Sequence, residues 1–587
     1  MPAICNSFIS WMFFSLILLV AARAQEWPAY RHENQRTGVQ PFPSNLSNPK
    51  FVGSLTVEQS FPKAGDCPGA WFCPVGAFQA SPIVVNDTVF IGDENGYFYA
   101  LDAATLVLKW RYPPKGHNGL KAAAKPFAYG IGAAAAFWGG VRPNGAVIFA
   151  AQDPSLGGTG KDGRLFALDA AAGNFIANWP SSQIAEIDNN NYCDKIHFFQ
   201  RIQHSSPLIF NNKAYAGIQS FEAPVQVGQV AAVNLTTGQK DPSFNFLAVI
   251  GGGSLSKPVL GGGVWDAPAS DGTDVYFTTG NVRTDACSPG PPPNVNPQPA
   301  HNHGLSMIRV DKNTGGVKWE LQPVPFKLDY DPDWAAGAAV MKTKNCGELV
   351  ASVQKDGWSY AADAATGTCR WQFPPVNPPI TEPKSACTWT GYSQFNPNVA
   401  SPWNTKHGPN GYRQPGAVWN NIFIVVAGGE ALIHDEVSAG YPYLHALDAC
   451  AKTEQARVRW IAPIPEQDFK NGKAGDFSLS AATLTGGIAI IGTDGGHLLA
   501  FGDPSVVGAC GTICSDVDFG GASSACPPPY VSVPKPQMLA DVVIPDGGNI
   551  AYFHKEAVLA KGRVFVATDR GHVYMLEAPT EVLPVCH

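Results

Sequence analysis

One phrase recurs along this chain of 587 residues: a short alternating strand, a turn led by Asp or Asn and often closed by Gly, and then a tryptophan. It stands at Tyr97–Thr105 with Trp110, at Arg164–Gly173 with Trp179, at Val230–Gly238, and at Met307–Gly315 with Trp319. Further copies are Tyr360–Gly367 with Trp371 and Leu444–Asp448 with Trp460, and looser ones lie at Leu498–Asp503 and Val573–Glu577, eight in all. A phrase that returns in this way marks a repeat architecture. In each copy the Asp side chain can bond its own backbone and the Gly supplies a positive φ. The tryptophan is too large to leave in water and is predicted to dock between neighbouring units.

Ahead of most copies runs a pair of strands with its own turn, as in Ser81–Gly92, Ser206–Gly217 and Ala560–Ala567. Four strands per unit, set radially, make a propeller blade. One such sheet cannot bury both faces, so the units must pack into a ring. The prediction is therefore an all-β chain: an eight-bladed β-propeller of four-stranded antiparallel blades, with residues 25–587 forming one domain. The anchoring acids are spaced unevenly, from 52 positions (Asp311 to Asp363) to 85 (Asp363 to Asp448), which predicts long loop insertions at about 287–301, 374–415 and 510–536. Loops of that length are often functional. The 61 Gly, 50 Pro and 15 Trp, with 15% charged residues, suit many turns and short strands.

Residues 1–24 read as a signal peptide: an apolar run from Trp11 to Ala22, then Ala22-Arg23-Ala24 as a small-x-small cleavage pattern before Gln25. The run is shorter than the ~20 residues of a membrane span, although no Lys or Arg precedes Arg23. The mature chain is expected to be secreted, or periplasmic in a bacterium, with no transmembrane segment. Of the thirteen cysteines only Cys5 falls in the signal, which leaves an even twelve for disulfides. Cys67 and Cys73 bracket one short loop and Cys510, Cys514 and Cys526 crowd another, but spacing does not give the pairing. Sequons at Asn45, Asn86 and Asn234 allow glycosylation. A net charge of −7 without a basic run excludes nucleic acid as a natural partner.

On these motifs the chain resembles the quinoprotein alcohol dehydrogenase superfamily of pyrroloquinoline-quinone-repeat propellers, and within it the polyvinyl-alcohol-dehydrogenase-like branch. The resemblance sharpens between Ala214 and Ala351. Ala214–Glu222, followed by Gly228–Asn234, is similar to the family strand that ends in a calcium-binding glutamate, which implies Glu222 as a ligand. Gly261–Ala269 and Val275–Asn281 are similar to the segment with an aromatic floor for the quinone and an asparagine ligand, implying Trp265 and Asn281. Asp329–Gly337 resembles the segment of the catalytic aspartate. Aligned forward the acid falls on Asp333, and aligned back from Gly337 it falls on Ala335. Ser352–Tyr360 resembles the strand start where a basic residue meets the quinone carbonyls, implying Lys355. Gln79 stands where some members have Glu.

The resemblance thus implies pyrroloquinoline quinone and Ca²⁺ as cofactors, with Glu222, Asn281 and Asp333 on the metal, Trp265, Lys355 and Gln79 on the quinone, and Asp333 as the base. Calcium takes six to eight oxygens, so two or three from the protein can be completed by the quinone. The cation would polarise the reactive carbonyl, Lys355 would stabilise developing charge, and the aspartate would take the alcohol proton. Two departures stand out: no adjacent Cys-Cys pair occurs, and Tyr129–Phe137 contains no arginine.

Each residue has a structural reading beside the functional one. Glu222 fits a surface carboxylate, Asn281 a turn former, Trp265 an inter-blade docking residue, Lys355-Asp356-Gly357 a hairpin turn, and Asp329, Asp331 and Asp333 a solvated acidic loop. His301 and His303 have a metal-compatible spacing on a Pro-rich loop. The expected function is a secreted oxidoreductase oxidising an alcohol or polyol. No haem motif is present, so electrons would pass to a separate acceptor. The alternatives are a non-catalytic propeller that binds a protein or glycan, and an enzyme using the axial pocket for other chemistry.

Overall fold

The computed structural model describes residues 25–62, 75–120, 130–140, 144–152, 163–176, 179, 184–186, 205–219, 228–248, 259–284, 303–323, 334, 336–354, 358–373, 387, 414–427, 443–464, 480–493, 495–514, 532–546, 549–550 and 555–581. Eight antiparallel sheets follow one another as blades of a propeller. Blade 1 is Ile83–Val85, Thr88–Gly92, Phe98–Asp102 and Leu108–Tyr112, paired in that order. Blades 2 to 7 repeat the plan, their first strands being Ala136–Trp138, Leu208–Phe210, Ala269–Ser270, Ala339–Lys342, Ala417–Trp419 and Thr483–Thr485. Blade 8 is composite: Val558–Ala560, Arg563–Ala567 and Val573–Glu577 take Thr56–Phe61 from the N-terminal side as their outer strand. Strands from the N-terminal and C-terminal parts of the chain that share one sheet close the ring.

The eight phrases coincide with the third strands and the turns that follow them. In seven of these turns the leading residue, Asp102, Asp169, Asn234, Asp311, Asp363, Asp448 or Asp503, accepts a backbone N–H from two residues on, at 2.8–3.1 Å. The tryptophans dock as expected. The indole nitrogens of Trp110, Trp179 and Trp319 donate to Ala170, Leu235 and Ala364 O, and that of Trp460 to Asp503, each in the next blade's turn. Gly367 lies under this contact: its φ is +72°, and a Cβ there would come within 2.7 Å of the Trp319 ring. The phrase is thus an interlock, in which the glycine of one blade makes room for the tryptophan of the preceding one.

Strands one and two are joined by two-residue turns with positive φ at both positions, such as Asn86-Asp87 (50°, 53°) and Asn211-Asn212 (52°, 56°). This geometry matches the strand twist. Blade 3 departs from four strands, because its third strand Gln229–Asn234 pairs with two short pieces, Gln239–Lys240 and Phe246–Leu247. Between them Pro242 cannot donate to a ladder, and Asp241 caps the Ser243 N–H. The long insertions fall between the second and third strands of blade 4 (287–301), between blades 5 and 6 (374–415) and before the last strand of blade 7 (510–536). Cys346–Cys450 ties blade 5 to blade 6 and Cys369–Cys387 lies at the edge of blade 5, while Cys510 is also disulfide-bonded. Residues 1–24, Cys67 and Cys73 lie outside the described residues. Among those described, no helix is long and apolar enough to cross a membrane.

Candidate functional site at the axis

The first strands of neighbouring blades touch around the centre, so the residues just before them, and just after the second strands, gather at one end of the axis. The centre itself is filled by the segment Gln25–Gln40. Its backbone exchanges hydrogen bonds with Val84, Phe137, Ser270, Val340, Val418, Leu484 and Lys561, in blades 1, 2, 4, 5, 6, 7 and 8. The Arg36 guanidinium reaches blade 3 through Pro207 O at 3.0 Å and blade 4 through Pro268 O at 2.9 Å. The segment carries its charges inward. Arg31, fully buried, pairs with Glu556 at 3.1 Å and donates to Ala482 O and Gly416 O at 2.7 and 3.0 Å. Burial pushes Glu556 up, His32 down to about 4 and Arg36 down to about 10.

This plug is tied to two of the segments singled out in the sequence. The Asp266 carboxylate accepts the Tyr30 hydroxyl at 3.3 Å and the Gly337 N–H at 2.9 Å, and its second oxygen accepts the Ala267 N–H at 2.7 Å. Burial, with Asp266 next in effect, pushes the Tyr30 phenol well up, so it stays a donor. The stretch beginning at Trp265 and the turn ending at Gly337 are therefore joined through one buried acid.

The structure brings the segments of Trp265 and Asn281 together. Gly262 N donates to Asn281 O at 2.6 Å and Gly280 N to Gly263 O at 2.8 Å, so the asparagine turn lies against the glycine run before the tryptophan. Trp265 precedes the innermost strand of blade 4, whereas the docking tryptophans sit on outer strands or the turns leading to them, so it is not a member of the inter-blade set. Gly228 N donates to Gly261 O at 2.7 Å, and a Cβ on Gly228 would meet Gly262 O at 1.9 Å, so this close backbone approach excludes any side chain. Gln79 is half-buried at the entrance to blade 1, on a stretch held by Gly76 N to Asp93 and by Phe78 N to Thr568 O. Glu222, Asp333 and Lys355 lie outside the described residues. His303 Nδ1 lies 2.8 Å from Glu320, whose other carboxylate oxygen takes the Ser306 hydroxyl. Among the described residues no group of three metal-ligating side chains occurs.

Sequence reasoning missed three contributors: the plug, Asp266 and Gln219. Gln219 follows the second strand of blade 3, Lys213–Ile218, and is 1% exposed. Neither of its amide atoms has a hydrogen-bond partner among the described residues. A Cβ built on Gly263 would lie 2.8 Å from Gln219 Cβ and 3.7 Å from the Trp265 indole nitrogen, so both side chains flank the same glycine. The available signal was a polar residue ending an otherwise apolar strand. Trp334, fully buried beside Asp333 in sequence, likewise has an indole N–H without a partner among the described residues.

Residues 27–399 match the family model described as glucose/ethanol/alcohol dehydrogenase, beta-propeller domain. The dehydrogenase subunit of the quinone alcohol dehydrogenase of Gluconobacter oxydans is 26% identical over 325 residues, which cover 49% of this chain and only 38% of that relative. The quinohemoprotein alcohol dehydrogenase of Comamonas testosteroni superposes with a TM-score of 0.59 at 17% identity, covering 97% of this chain and 83% of its own. A europium-containing methanol dehydrogenase superposes at 0.58 with 14% identity, over 96% of this chain and all of the other. These two likenesses show the shared fold. With the family match extending over more than half its length, the chain belongs to the glucose/ethanol/alcohol dehydrogenase β-propeller family.

Proposed function

We propose that this protein is a secreted oxidoreductase that oxidises an alcohol or polyol with pyrroloquinoline quinone and a calcium ion, passing the electrons to a separate acceptor. The observation that carries the reading is the junction of blades 3 and 4, which we read as a cradle: Gly228 and Gly261–Gly263 pack backbone on backbone beside Trp265, the Asn281 turn and a buried amide without a partner among the described residues. Such a cradle suits a flat ligand with polar edges, and the tricyclic quinone with its carbonyl and carboxylate groups is one.

The group supplies two-electron oxidation of an alcohol carbon; the chain's own residues supply the rest. Trp265 offers a flat apolar surface. Glu222, Asn281 and Asp333 offer hard oxygens of the kind calcium takes. Asp333 is the proposed acceptor of the alcohol proton and Lys355 the cation facing developing negative charge. Asp266 holds the Trp265 and Gly337 segments on the plug. Residues 25–587 are proposed to act as one unit after removal of residues 1–24, with glycans on Asn45 and Asn86, both exposed.

The test is to purify the exported chain, add the quinone with Ca²⁺, and follow reduction of an artificial electron acceptor with alcohols and polyols. Quinone-dependent turnover that is lost in Asp333→Ala supports the reading. Absence of both quinone binding and turnover would favour a binding scaffold instead. A parallel assay with europium in place of calcium asks whether this chain also works with the metal named for the europium-containing methanol dehydrogenase.

A further inference from the structure

Resting on that reading, we infer that Gln219 is a direct contact of the bound quinone, its amide gripping the polar edge of the cofactor beside Trp265. A buried amide with no partner is costly, and native chains rarely keep one without cause. Gln219 is 1% exposed, and both its donor and its acceptor are uncommitted among the described residues. Its place is built. Val264 N donates to Ile218 O at 3.3 Å, Gly217 N to the Ser205 hydroxyl at 2.9 Å, and Gly263 leaves open the space that its Cβ would take from Gln219. These contacts hold the Gln219 backbone beside Gly263, which the Trp265 indole nitrogen also flanks, while the amide is left without a partner among the described residues.

A primary amide is uncharged and carries two N–H donors and one acceptor. That inventory suits a ligand edge that carries both carboxylate or carbonyl oxygens and a ring N–H, as the quinone's does. The Gln219 N–H groups would serve the oxygens and its carbonyl the N–H. A ligand lacking polar atoms on that edge would leave the amide as costly as before.

The experiment compares the wild-type chain with Gln219→Met and Gln219→Glu, prepared without quinone. Quinone affinity is read in the presence of Ca²⁺ by quenching of tryptophan fluorescence, and the melting temperature of the quinone-free protein is read alongside. Methionine keeps length and bulk but removes both polar functions. Melting of Gln219→Met is expected to equal or exceed wild type, while its quinone affinity falls by roughly tenfold to a hundredfold, the loss of hydrogen bonds to charged groups. Gln219→Glu places a carboxylate against the ligand's carboxylates and is expected to bind more weakly than Gln219→Met. Quinone affinity within twofold of wild type in both variants would overturn the inference while leaving the proposed function standing. A wild-type chain that does not bind the quinone would overturn both.

Discussion

Replacing Arg31 by Met removes the guanidinium that joins the axial plug to blades 6, 7 and 8 through Gly416 O, Ala482 O and the Glu556 carboxylate, all fully buried. It leaves Glu556 in the interior with only the backbone N–H of residue 31, at 2.8 Å, on its carboxylate. Breaking a buried pair from one side costs about 3–5 kcal/mol, because the surviving charge loses its compensation. Replacing both partners by Met removes that charge, and the double variant is expected to recover about half of the loss. The sign with pH follows from the same burial. It raises the Glu556 carboxyl above its ordinary value, and without Arg31 the carboxyl rises further. A raised carboxyl contributes stability that is complete below its unfolded pKa and is lost as pH rises through the folded one. The deficit of Arg31→Met should therefore be small near pH 4.5 and grow toward pH 8. Urea unfolding followed by tryptophan fluorescence measures it, with buried Trp27 in the plug itself as a reporter. A loss under about 1 kcal/mol at pH 8, or one that does not change with pH, would refute the claim that this pair secures the plug.

Three further substitutions test the interlock and one buried histidine. Gly367→Ala combines a positive φ of 72° with a Cβ 2.7 Å from the Trp319 ring, and is expected to cost about 2–4 kcal/mol. Gly562→Ala, at 71° with nothing within 4 Å, should cost only about 1 kcal/mol, and equal melting temperatures for the two would remove the interlock. His445, held by burial at about 4, stays neutral in the folded chain while the unfolded chain takes up a proton, so the stability it contributes above its unfolded pKa is lost as pH falls toward 4. About 2 kcal/mol of that loss should be reached by pH 5 and should be absent from His445→Leu. An unchanged slope of urea midpoint against pH in that variant would move the effect to other groups.

The ring was legible because each blade repeats a local grammar. An Asp or Asn that bonds its own turn, a Gly with positive φ and a Trp with nowhere else to go are properties of neighbouring residues, and one or more of them marked seven of the eight third strands; the eighth, Val573–Glu577, was legible from its strand pattern alone. The axial plug was not legible. Tyr30, Arg31, His32, Glu33 and Arg36 carry no local pattern that marks them as interior, and contacts with blades hundreds of residues away bury them. Asp266 was hidden in the same way, since its partners Tyr30 and Gly337 are far along the chain. Trp265 and Asn281 were singled out through resemblance, and the glycine run before Trp265 packs its backbone against the Asn281 turn. Close backbone approach leaves a sequence trace where long-range side-chain bonding leaves none. Gln219 ended the same apolar strand that pointed to Glu222, and its meaning lay in the partners it lacks.

The most direct test of the account is a crystal structure of the chain grown with pyrroloquinoline quinone and calcium. The account predicts the quinone lying over Trp265 with a polar edge at Gln219, and a cation bound by Asn281 with Glu222 and Asp333. Quinone absent from this cradle at saturating concentration, or bound away from blades 3 and 4, would contradict it.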